Sequence, residues 1–338
     1  MKAVGLKRYL LNDDPEFLLD LTLESPSPKG CQLLVAVQAI SVNPVDTKVR
    51  APKDKVEASS KILGWDAAGI VLEVGPDVTL FKPGDEVFYA GDITRPGSNS
   101  EFQLVDERIV GHKPKSLTFA EAAALPLTAI TAYEAIFDRL QFDVWGKHKG
   151  QTLLIVGAAG GVGSIGIQLA KIAGLTVIGT ASRRESAEWI TSLGANHVIN
   201  HFEPMRQQIE SLGHKYVDAV ALFNDTDRHW NTAVDLVRPQ GKVLSIVENR
   251  GPLDQDLLKQ KSATFIWEFM FTRSMFQTPD MVQQHELLNQ VANWIDQGIV
   301  RGTSREVISP INAENLRRAH RTIEQGRSIG KLVLEGWS

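Results

Sequence analysis

The stretch Thr152-Leu-Leu-Ile-Val-Gly-Ala-Ala-Gly-Gly-Val-Gly-Ser-Ile-Gly-Ile-Gln-Leu-Ala-Lys171 decides the fold of this chain. Its apolar run, Leu153 to Val156, is typical of a strand that is buried on both faces of a parallel sheet. A glycine cluster follows at once, and apolar residues then recur at helical spacing until Gly174, where the helix is expected to end. The order of strand, glycine turn and helix predicts the first half of a βαβ unit.

The glycine turn points to a dinucleotide. Gly157, Gly160 and Gly163 would let the backbone turn tightly and approach a pyrophosphate, whose charge would lie at the helix N-terminus. This arrangement is typical of a Rossmann unit, although the spacing Gly-x-x-Gly-x-x-Gly differs from the commoner Gly-x-Gly-x-x-Gly. A glycine-rich turn that binds nothing is the alternative. A P-loop is excluded, because no Lys precedes Ser164.

The end of the next strand favours a phosphorylated cofactor. About twenty residues past the glycine motif, an NAD site has an acidic residue for the ribose hydroxyls. This chain has Ser182-Arg183-Arg184 there, after a predicted strand from Thr176 to Thr180. A guanidinium beside a hydroxyl suits a 2′-phosphate, so we expect NADP(H). The alternative is that both arginines are solvated residues in the first turn of the next helix, behind a capping box from Ser182 to Glu185.

Composition restricts the class of protein. With 338 residues and 43% apolar content, the chain can form two domains. A net charge of −4 and the lack of a basic stripe argue against nucleic acid as a partner. Cys31 is the only cysteine, so an intrachain disulfide cannot form and a thiolate zinc site is not expected. No charged-then-apolar leader follows Met1 and no apolar run approaches twenty residues, so we expect a cytoplasmic protein without a membrane partner.

The pattern along the chain predicts two kinds of architecture. Short β segments divided by turn residues fill the first third and suggest a small β-barrel, with Lys48 to Ser60 as a polar surface loop. A helical stretch interrupted at Pro126 follows, with a second helix from about Thr128 to Leu140. Strands and helices then alternate as in a doubly wound sheet. Two late strands, Glu306 to Ile308 and Lys331 to Leu334, are expected to rejoin the barrel.

Several motifs occur in one order over nearly the whole chain. They are the glycine unit and Ser41-Val-Asn-Pro-Val-Asp46, Gly64-Trp-Asp-Ala-Ala-Gly-Ile-Val71, Lys82-Pro-Gly-Asp-Glu-Val87, Leu125-Pro-Leu-Thr-Ala-Ile-Thr-Ala-Tyr133 and Gly330-Lys-Leu-Val-Leu334. In this set the chain resembles the medium-chain dehydrogenase/reductase superfamily, in its zinc-independent quinone oxidoreductase branch. The run from Trp267 to Gln277 looks like the subgroup labelled zinc-type alcohol dehydrogenase-like.

The resemblance implies an α/β fold with two domains. A GroES-like β-barrel catalytic domain would comprise residues 1–122 and 272–338. An inserted Rossmann domain, a doubly wound parallel sheet over residues 123–271, would bind NADP(H). The resemblance also implies an active site in the cleft between the domains.

The same resemblance bears on zinc. Zinc members have Cys at the position of Asn43 and His-Glu at the positions of Trp65-Asp66, and they carry a four-Cys lobe that this chain lacks. Without thiolates, and with Trp at the His position, a three-ligand catalytic site is not expected. His197 and His201 are four residues apart, but the residues between them are typical of a strand, so they would not share a helical face. We therefore expect no metal site.

The resemblance also implies which residues contact the cofactor. It places Asn43 and Thr128 near the nicotinamide and its ribose, and it places Gly160, Gly161 and Val162 on the pyrophosphate. It places Ser182 and Arg183 on the 2′-phosphate and suggests that Lys331 approaches the cofactor. Relatives often have Tyr at the position of His201, near that phosphate, so His201 is a plausible substitute. From the residues alone, Asn43 and Asp46 fit equally well as caps of a turn, and Thr128 fits as a helix N-cap.

The residues for proton transfer and substrate binding are less defined. Asn43, Asp46, Tyr89 and Tyr133 are the candidates for catalysis, and packing is the alternative for both tyrosines. Trp65, Trp267, Phe271 and Phe276 are candidates for an apolar acceptor pocket, although aromatic runs are also common in cores and interfaces. Relatives commonly dimerise by pairing the edge strands of their Rossmann sheets, and the stretch from Thr264 to Phe269 fits such an edge.

The predicted reaction follows from the missing metal. Without a Lewis acid, an unactivated ketone is a poor acceptor, because nothing neutralises the developing alkoxide. A quinone, or a carbon–carbon double bond conjugated to a carbonyl, delocalises that charge itself. Our first hypothesis is an NADPH-dependent quinone reductase. A reductase of enones, alkenals or enoyl thioesters, and an NADPH-binding structural or sensing protein with little turnover, are the alternatives.

Overall fold

The computed structural model describes residues 1–337. They form two compact units: unit 1 comprises Met1–Ile130 and the chain from Phe271 onward, and unit 2 comprises Thr131–Met270. No helix in the described part of the chain is both long enough and apolar enough to cross a membrane.

The strands and helices follow the chain in this order. The strands are β1 Lys2–Tyr9, β2 Leu19–Thr22, β3 Gln32–Ser41, β4 Lys53–Ile62, β5 Ala67–Val74, β6 Glu86–Tyr89, β7 Phe102–Asp106, β8 Val110–His112, β9 Thr152–Val156, β10 Thr176–Thr180, β11 His197–Ile199, β12 Val217–Leu222, β13 Val237–Ser245, β14 Thr264–Trp267, β15 Ser304–Ile308 and β16 Lys331–Glu335. The α-helices are α1 Pro44–Arg50, α2 Phe119–Ala123, α3 Pro126–Tyr133, α4 Gly161–Ile172, α5 Arg184–Ser192, α6 Met205–Ser211, α7 Thr226–Leu236, α8 Asp256–Lys259, α9 Thr272–Phe276, α10 Gln283–Asp296 and α11 Ala313–Glu324. A 3₁₀ turn spans Glu107–Ile109, and a π-helical segment spans Glu134–Arg139.

Unit 1 is built on two β-sheets. The smaller has the order β2-β1-β4, and the larger has the order β15-β16-β3-β5-β6-β8, with β7 also paired to β3. Strand β16 runs antiparallel to β3, with Leu334 opposite Ile40. The two late strands therefore rejoin the β-structure of the first third, as the sequence predicts. In the middle of β3, Val35 and Val37 are buried and supply part of the core of this unit.

Unit 2 is a six-stranded sheet with the order β11-β10-β9-β12-β13-β14, in which all neighbouring strands are parallel. Strand β9 lies in the middle and all five of its residues are buried, which is why its sequence is continuously apolar. The chain proceeds from β9 to one side of the sheet and then returns to add β12 on the other side. This reversal is the topological switch point at which α/β sheets bind ligands, and it confirms the predicted doubly wound sheet.

Three local expectations were wrong. The stretch from Lys48 to Ser60 is not a loop, since it contains the end of α1 and most of β4, a largely exposed strand antiparallel to β1. The second helix begins at Pro126 rather than Thr128, because a helix's first turn needs no proline N–H. The α-helical part ends at Tyr133, and the π segment Glu134–Arg139 follows it directly. The cap before α5 is shifted by one residue: the Arg183 N–H donates to Ser186 Oγ at 3.2 Å.

Candidate active site

The glycine turn of unit 2 presents backbone N–H groups at the carboxyl end of β9. Gly157 has a φ of 82°, a conformation that favours glycine, and its N–H donates to Thr180 Oγ1 at 3.1 Å. A Cβ on Gly163 would lie 2.5 Å from the carbonyl oxygens of Gly157 and Ala158, so only glycine fits there. Helix α4 then begins at Gly161, with Gly160 as its N-cap residue.

This turn fits a pyrophosphate. Gly160, Gly161 and Val162 are half-buried, and the first N–H groups of a helix have no partner within the helix. The N-terminus of the twelve-residue α4 also favours negative charge. The structure thus places the three residues that the resemblance assigned to the pyrophosphate at a site of matching chemistry.

The ends of β10 and β11 bring the predicted 2′-phosphate residues to the same edge of the sheet. The two strands are parallel neighbours, and the Ala181 N–H donates to the Ile199 carbonyl at 2.9 Å. Ser182 and Arg183 therefore follow one strand where His201 follows the next, and both Ser182 and Arg183 are exposed. No carboxylate takes the place of Ser182 at the end of β10.

The two arginines of this stretch differ in their positions at the start of α5. Arg184 Nε donates to Glu188 Oε1 at 2.7 Å, one turn further along α5. Arg183 is the N-cap residue of that helix and lies next to Ser182 at the carboxyl end of β10.

His201 lies in a cluster of rings and cations. Its ring is 5.9 Å from the ring of His229, and Arg228 lies over the neighbouring Phe202 at 4.5 Å. Burial, and then the Arg228 charge, lower the pKa of His201. Burial also lowers the pKa of His229, to about 4, with His201 and Arg228 adding to the effect. Both imidazoles are therefore neutral at pH 7 in this structure. The nitrogen Nδ1 of His201 is buried and has no hydrogen-bond partner among residues 1–337.

A buried polar network in unit 1 gathers the remaining predicted cofactor residues around Asp66. Lys331 Nζ donates to Asp66 Oδ2 at 3.0 Å and also to Asn43 Oδ1. Asn43 Nδ2 donates to the same Asp66 oxygen at 2.8 Å, while the Leu127 N–H, next to Thr128, donates to Asp66 Oδ1 at 2.8 Å. Asp66 is fully buried and Lys331 is 5% exposed.

The network determines the charge states inside it. Burial raises the pKa of Asp66, and the Lys331 charge and the donated hydrogen bonds oppose that effect. Because donors point at both oxygens of Asp66, the ionised carboxylate, which accepts only, is the form that satisfies them. We therefore describe Asp66 and Lys331 as a buried ion pair with Asn43 between them.

Asp46 and Thr128 have clear local roles. The Asn43 N–H donates to Asp46 Oδ2 at 2.6 Å, so Asp46 caps the start of α1, as one of the open alternatives held. Burial raises the pKa of Asp46 to about 7, against the Asn43 hydrogen bond and the Lys331 charge. Thr128 is not an N-cap: it lies inside α3, and its Oγ1 donates to the Leu125 carbonyl at 2.9 Å.

The donors in this place do not fit zinc. Trp65 is fully buried and its indole N–H donates to the Asp92 carbonyl at 3.2 Å, so it offers no ligand. Asn43 Oδ1 and Asp66 Oδ2 accept hydrogen bonds from the Lys331 ammonium. A metal cation bound to the same two oxygens would be repelled by that positive charge. Among residues 1–337, no three His, Cys, Asp or Glu side chains lie close enough to hold a metal ion. His197 and His201, which are four residues apart in the sequence, both lie in unit 2 and are not part of this network.

The aromatic candidates separate into buried and exposed residues. Phe271 is buried and packs edge-on against Trp65, with ring centroids 6.2 Å apart. Trp267, on β14, is 45% exposed and Phe276 is 72% exposed. Trp65 and Phe271 are thus core residues of unit 1, and Trp267 and Phe276 are exposed.

Both tyrosine candidates are packed. Tyr89 is fully buried, burial raises the pKa of its phenol, and its hydroxyl has no hydrogen-bond partner among residues 1–337. Tyr133, at the end of α3, packs edge-on against Phe137 at 4.7 Å.

Sequence reasoning missed Asp66 as the centre of the unit 1 network. The motif Gly64-Trp-Asp was available, but Lys331 lies 265 residues further along the chain, and no local pattern links the two. The one available signal was that Asp66 stands among apolar residues typical of a buried strand, since a buried carboxylate needs a cationic partner.

Comparisons with known proteins match this architecture. The model of the alcohol dehydrogenase GroES-like domain matches residues 29–132, and that of the zinc-binding dehydrogenase family matches residues 161–288. A zinc-type alcohol dehydrogenase-like protein of Staphylococcus aureus strain COL is 42% identical over 335 residues, covering 99% of both chains. A 2-methylene-furan-3-one reductase of Solanum lycopersicum is 32% identical and covers 94% of this chain and 74% of its own.

Solved structures agree with the fold. A structure described as a putative zinc-dependent alcohol dehydrogenase protein from Rhizobium etli is 51% identical, with a TM-score of 0.96, and covers 100% of this chain and 98% of its own. A quinone oxidoreductase from Coxiella burnetii is 26% identical with a TM-score of 0.81 and covers 99% of both chains.

Proposed function

The chain belongs to the medium-chain dehydrogenase/reductase superfamily, and from this premise we propose that it transfers hydride from NADPH to a quinone or similar conjugated acceptor without zinc. Membership of the family makes it an oxidoreductase. The choice of NADPH, the lack of zinc and the class of acceptor are our inferences from its residues.

The carboxyl end of β10 carries the proposal. Ser182 and Arg183 stand there, exposed, at the position of the acidic residue that binds the ribose in an NAD site. A hydroxyl beside a guanidinium supports a 2′-phosphate, and a carboxylate would repel one. We assign the contact to Arg183 because it lies directly next to Ser182 at the carboxyl end of β10, as the N-cap residue of α5.

Residues of both units have roles in this proposal. In unit 2, the N–H groups of Gly160, Gly161 and Val162 would hold the pyrophosphate. In unit 1, we assign Asn43, Thr128 and Lys331 to the nicotinamide and its ribose. Bound NADPH supplies the hydride, and the protein positions it.

The Asp66 network supports an acceptor that stabilises its own charge. The Lys331 ammonium already donates hydrogen bonds to Asp66 and Asn43. It therefore does not replace a catalytic metal, which has an open coordination position for the substrate oxygen. A simple ketone would develop an alkoxide with no metal to stabilise it. A quinone or enone spreads that charge over conjugated atoms.

Reduction of an enone is the second candidate. The Solanum lycopersicum relative is named for reducing a 2-methylene-furan-3-one, a carbon–carbon double bond conjugated to a carbonyl. The chemistry of hydride acceptance is similar in both cases, and the two differ in which atom receives the hydride.

We also propose a homodimer formed through β14. This strand is the last in the order of the unit 2 sheet, and its Trp267 is 45% exposed. Pairing with a second copy would satisfy the open hydrogen-bonding edge of the strand.

Steady-state oxidation of NADPH with a panel of acceptors tests the function. Turnover of benzoquinone or naphthoquinone but not of enones supports the first candidate, and the reverse result supports the second. Tight binding of NADPH without turnover of any acceptor would contradict both and favour a sensing or structural protein.

A further inference from the structure

Two buried glutamates mark the places where the chain enters and leaves unit 2. The chain enters this unit at Thr131 and leaves it at Met270. Glu134 opens the π segment shortly after the entry and is fully buried. Glu268 follows β14 shortly before the exit and is 2% exposed.

The two side chains join the entering and the leaving segment. Their carboxyl groups lie within hydrogen-bonding distance of each other. Arg139, at the end of the π segment, donates from Nε to Glu268 Oε2 at 2.8 Å. The leaving segment is thus held by the first and the last residue of the π segment.

The π geometry explains how one short segment contacts Glu268 twice. In an α-helix the side chains that share a face are three or four residues apart. Glu134 and Arg139 are five residues apart, the spacing of a π-helical hydrogen bond. The wider turn lets both contact the same carboxylate.

A hydrogen bond between two carboxyl groups requires a proton, because ionised carboxylates only accept. One proton on the pair leaves a single negative charge, which the Arg139 guanidinium balances. Loss of that proton would leave two adjacent carboxylates and one cation in the interior, an unbalanced buried charge.

Two other charged side chains lie on the π segment or contact the residues that follow it. Asp138 lies on the π segment, and Lys242, on β13, donates its ammonium to the Leu140 carbonyl at 2.9 Å and to Gln141 Oε1 at 2.7 Å. Burial, followed by the Glu134 charge, raises the pKa of Glu268 to about 9, and Arg139 opposes the shift.

We propose that Glu134 and Glu268 form a proton-sharing latch that fastens the two connecting segments of unit 2 at neutral pH and releases them in alkali. The inference does not depend on the cofactor or on the acceptor. It assigns these residues a positioning role, since α3, which carries Thr128, runs into the π segment, and Phe271 follows Glu268 by three residues.

The direction of the pH effect follows from the raised pKa. An open latch releases the proton with the ordinary glutamate pKa of 4.5, whereas the closed latch keeps it up to about 9. Closure is therefore most favourable below pH 4.5 and weakens as pH rises. Between these values, each pH unit should increase the opening equilibrium by up to about tenfold. Above about 9 the dependence should end.

Hydrogen–deuterium exchange of peptides covering residues 131–140 and 264–271 measures this opening, after correction for the intrinsic rate. In the wild type we expect the opening constant to rise with pH from 6 to 9. In Glu268→Gln, which keeps an amide donor and an acceptor but has no proton to release, we expect no such rise. A peptide covering β9 provides the internal reference. Glu188→Gln, which alters an exposed ion pair with Arg184, is the matched control and should behave as the wild type.

Infrared spectroscopy supplies a measurement that does not depend on opening. The wild type at pH 7 should show a protonated-acid carbonyl band that is absent from both Glu268→Gln and Glu134→Gln. If neither variant folds, the wild-type band should disappear as the pH is raised above neutrality. An unchanged pH dependence of exchange in folded Glu268→Gln would overturn the proposal. The proposal would also be overturned if the wild type showed no protonated-acid band at pH 7, or if neither the substitutions nor alkaline pH removed that band.

Discussion

Lys331 lies in the interior of unit 1 with its Nζ 3.0 Å from Asp66 Oδ2. Both side chains are almost fully buried, so each would be strongly destabilising without the other. Asn43 binds both partners and completes the arrangement. The consequence is a preformed polar site in which no side chain has to move to balance a charge.

Removing one partner of this pair should be costly. Lys331→Met leaves the Asp66 carboxylate buried without its cation, and we expect the free energy of unfolding of unit 1 to fall by about 3–5 kcal/mol. Urea denaturation measures the change. The double variant Lys331→Met/Asp66→Asn should recover most of the loss, because no buried charge remains.

An exposed pair provides the control for this prediction. Lys55→Met removes a surface contact with Glu57 and should change the free energy of unfolding little. If the double variant were as unstable as Lys331→Met, the lost stability would come from packing around the lysine stem, and our account of the ion pair would be wrong.

At this scale the sequence did not predict which side chains contact one another. Asn43 and Lys331 were assigned through a family resemblance, and the structure brings them into one network. Asp66 was available only as part of a motif, because its partners are 23, 61 and 265 residues away along the chain. Only folding brings such distant residues together, so a single sequence does not encode their contact as a local pattern.

Helix α5 and the end of β10 determine the choice of cofactor in our proposal. Arg183→Ala should weaken NADPH binding by about ten- to a hundredfold, because a charge-assisted contact to the 2′-phosphate is lost. Binding of NADH, which lacks that phosphate, should be nearly unchanged. Titration of cofactor fluorescence gives both affinities.

A neighbouring arginine offers the matched control for the cofactor prediction. Arg184→Ala removes the exposed pair with Glu188 and should affect both cofactors little. Equal losses of NADPH and NADH affinity in Arg183→Ala would refute the assignment of this residue to the 2′-phosphate.

Strand β14 tests the proposed dimer. The Glu268 N–H donates to the Ser245 carbonyl of β13 at 3.0 Å, and N–H groups of a parallel strand alternate in direction, so the Trp267 N–H is turned to the open edge. Trp267→Pro removes this donor and should yield monomers in analytical ultracentrifugation. Trp267→Thr keeps the donor and the β propensity and should remain dimeric. A wild-type monomer, or a dimeric Trp267→Pro, would contradict pairing through this edge.

Strands and helices were predictable where their burial produces a simple pattern of apolar residues in the sequence. Strand β9 is almost entirely apolar because both of its faces are covered, and the expected bounds of β10, Thr176 to Thr180, match the structure. Strand β4 was taken for a loop because most of its residues face solvent. The π segment was not predicted, because it has no periodicity of its own in the sequence and Glu268, which Arg139 contacts, lies 129 residues further along the chain.

The whole molecule combines two compact units in one chain, and each carries part of the predicted site. The pattern along the chain predicted both architectures and the return of the two late strands to the β-structure of the first third, although not that β16 would pair with β3. The order of strands in the larger sheet of unit 1 was not predicted, since antiparallel pairings between distant strands depend on contacts across the whole unit.

The central claim is hydride transfer from NADPH without a metal, and one measurement tests it most directly. Zinc content is determined by elemental analysis, and NADPH oxidation with benzoquinone is measured before and after treatment with a chelator. We expect turnover that is unchanged by chelation and no stoichiometric zinc, since Trp65 is not a ligand and Lys331 binds both Asn43 and Asp66. One zinc ion per chain, lost together with the activity, would contradict the account.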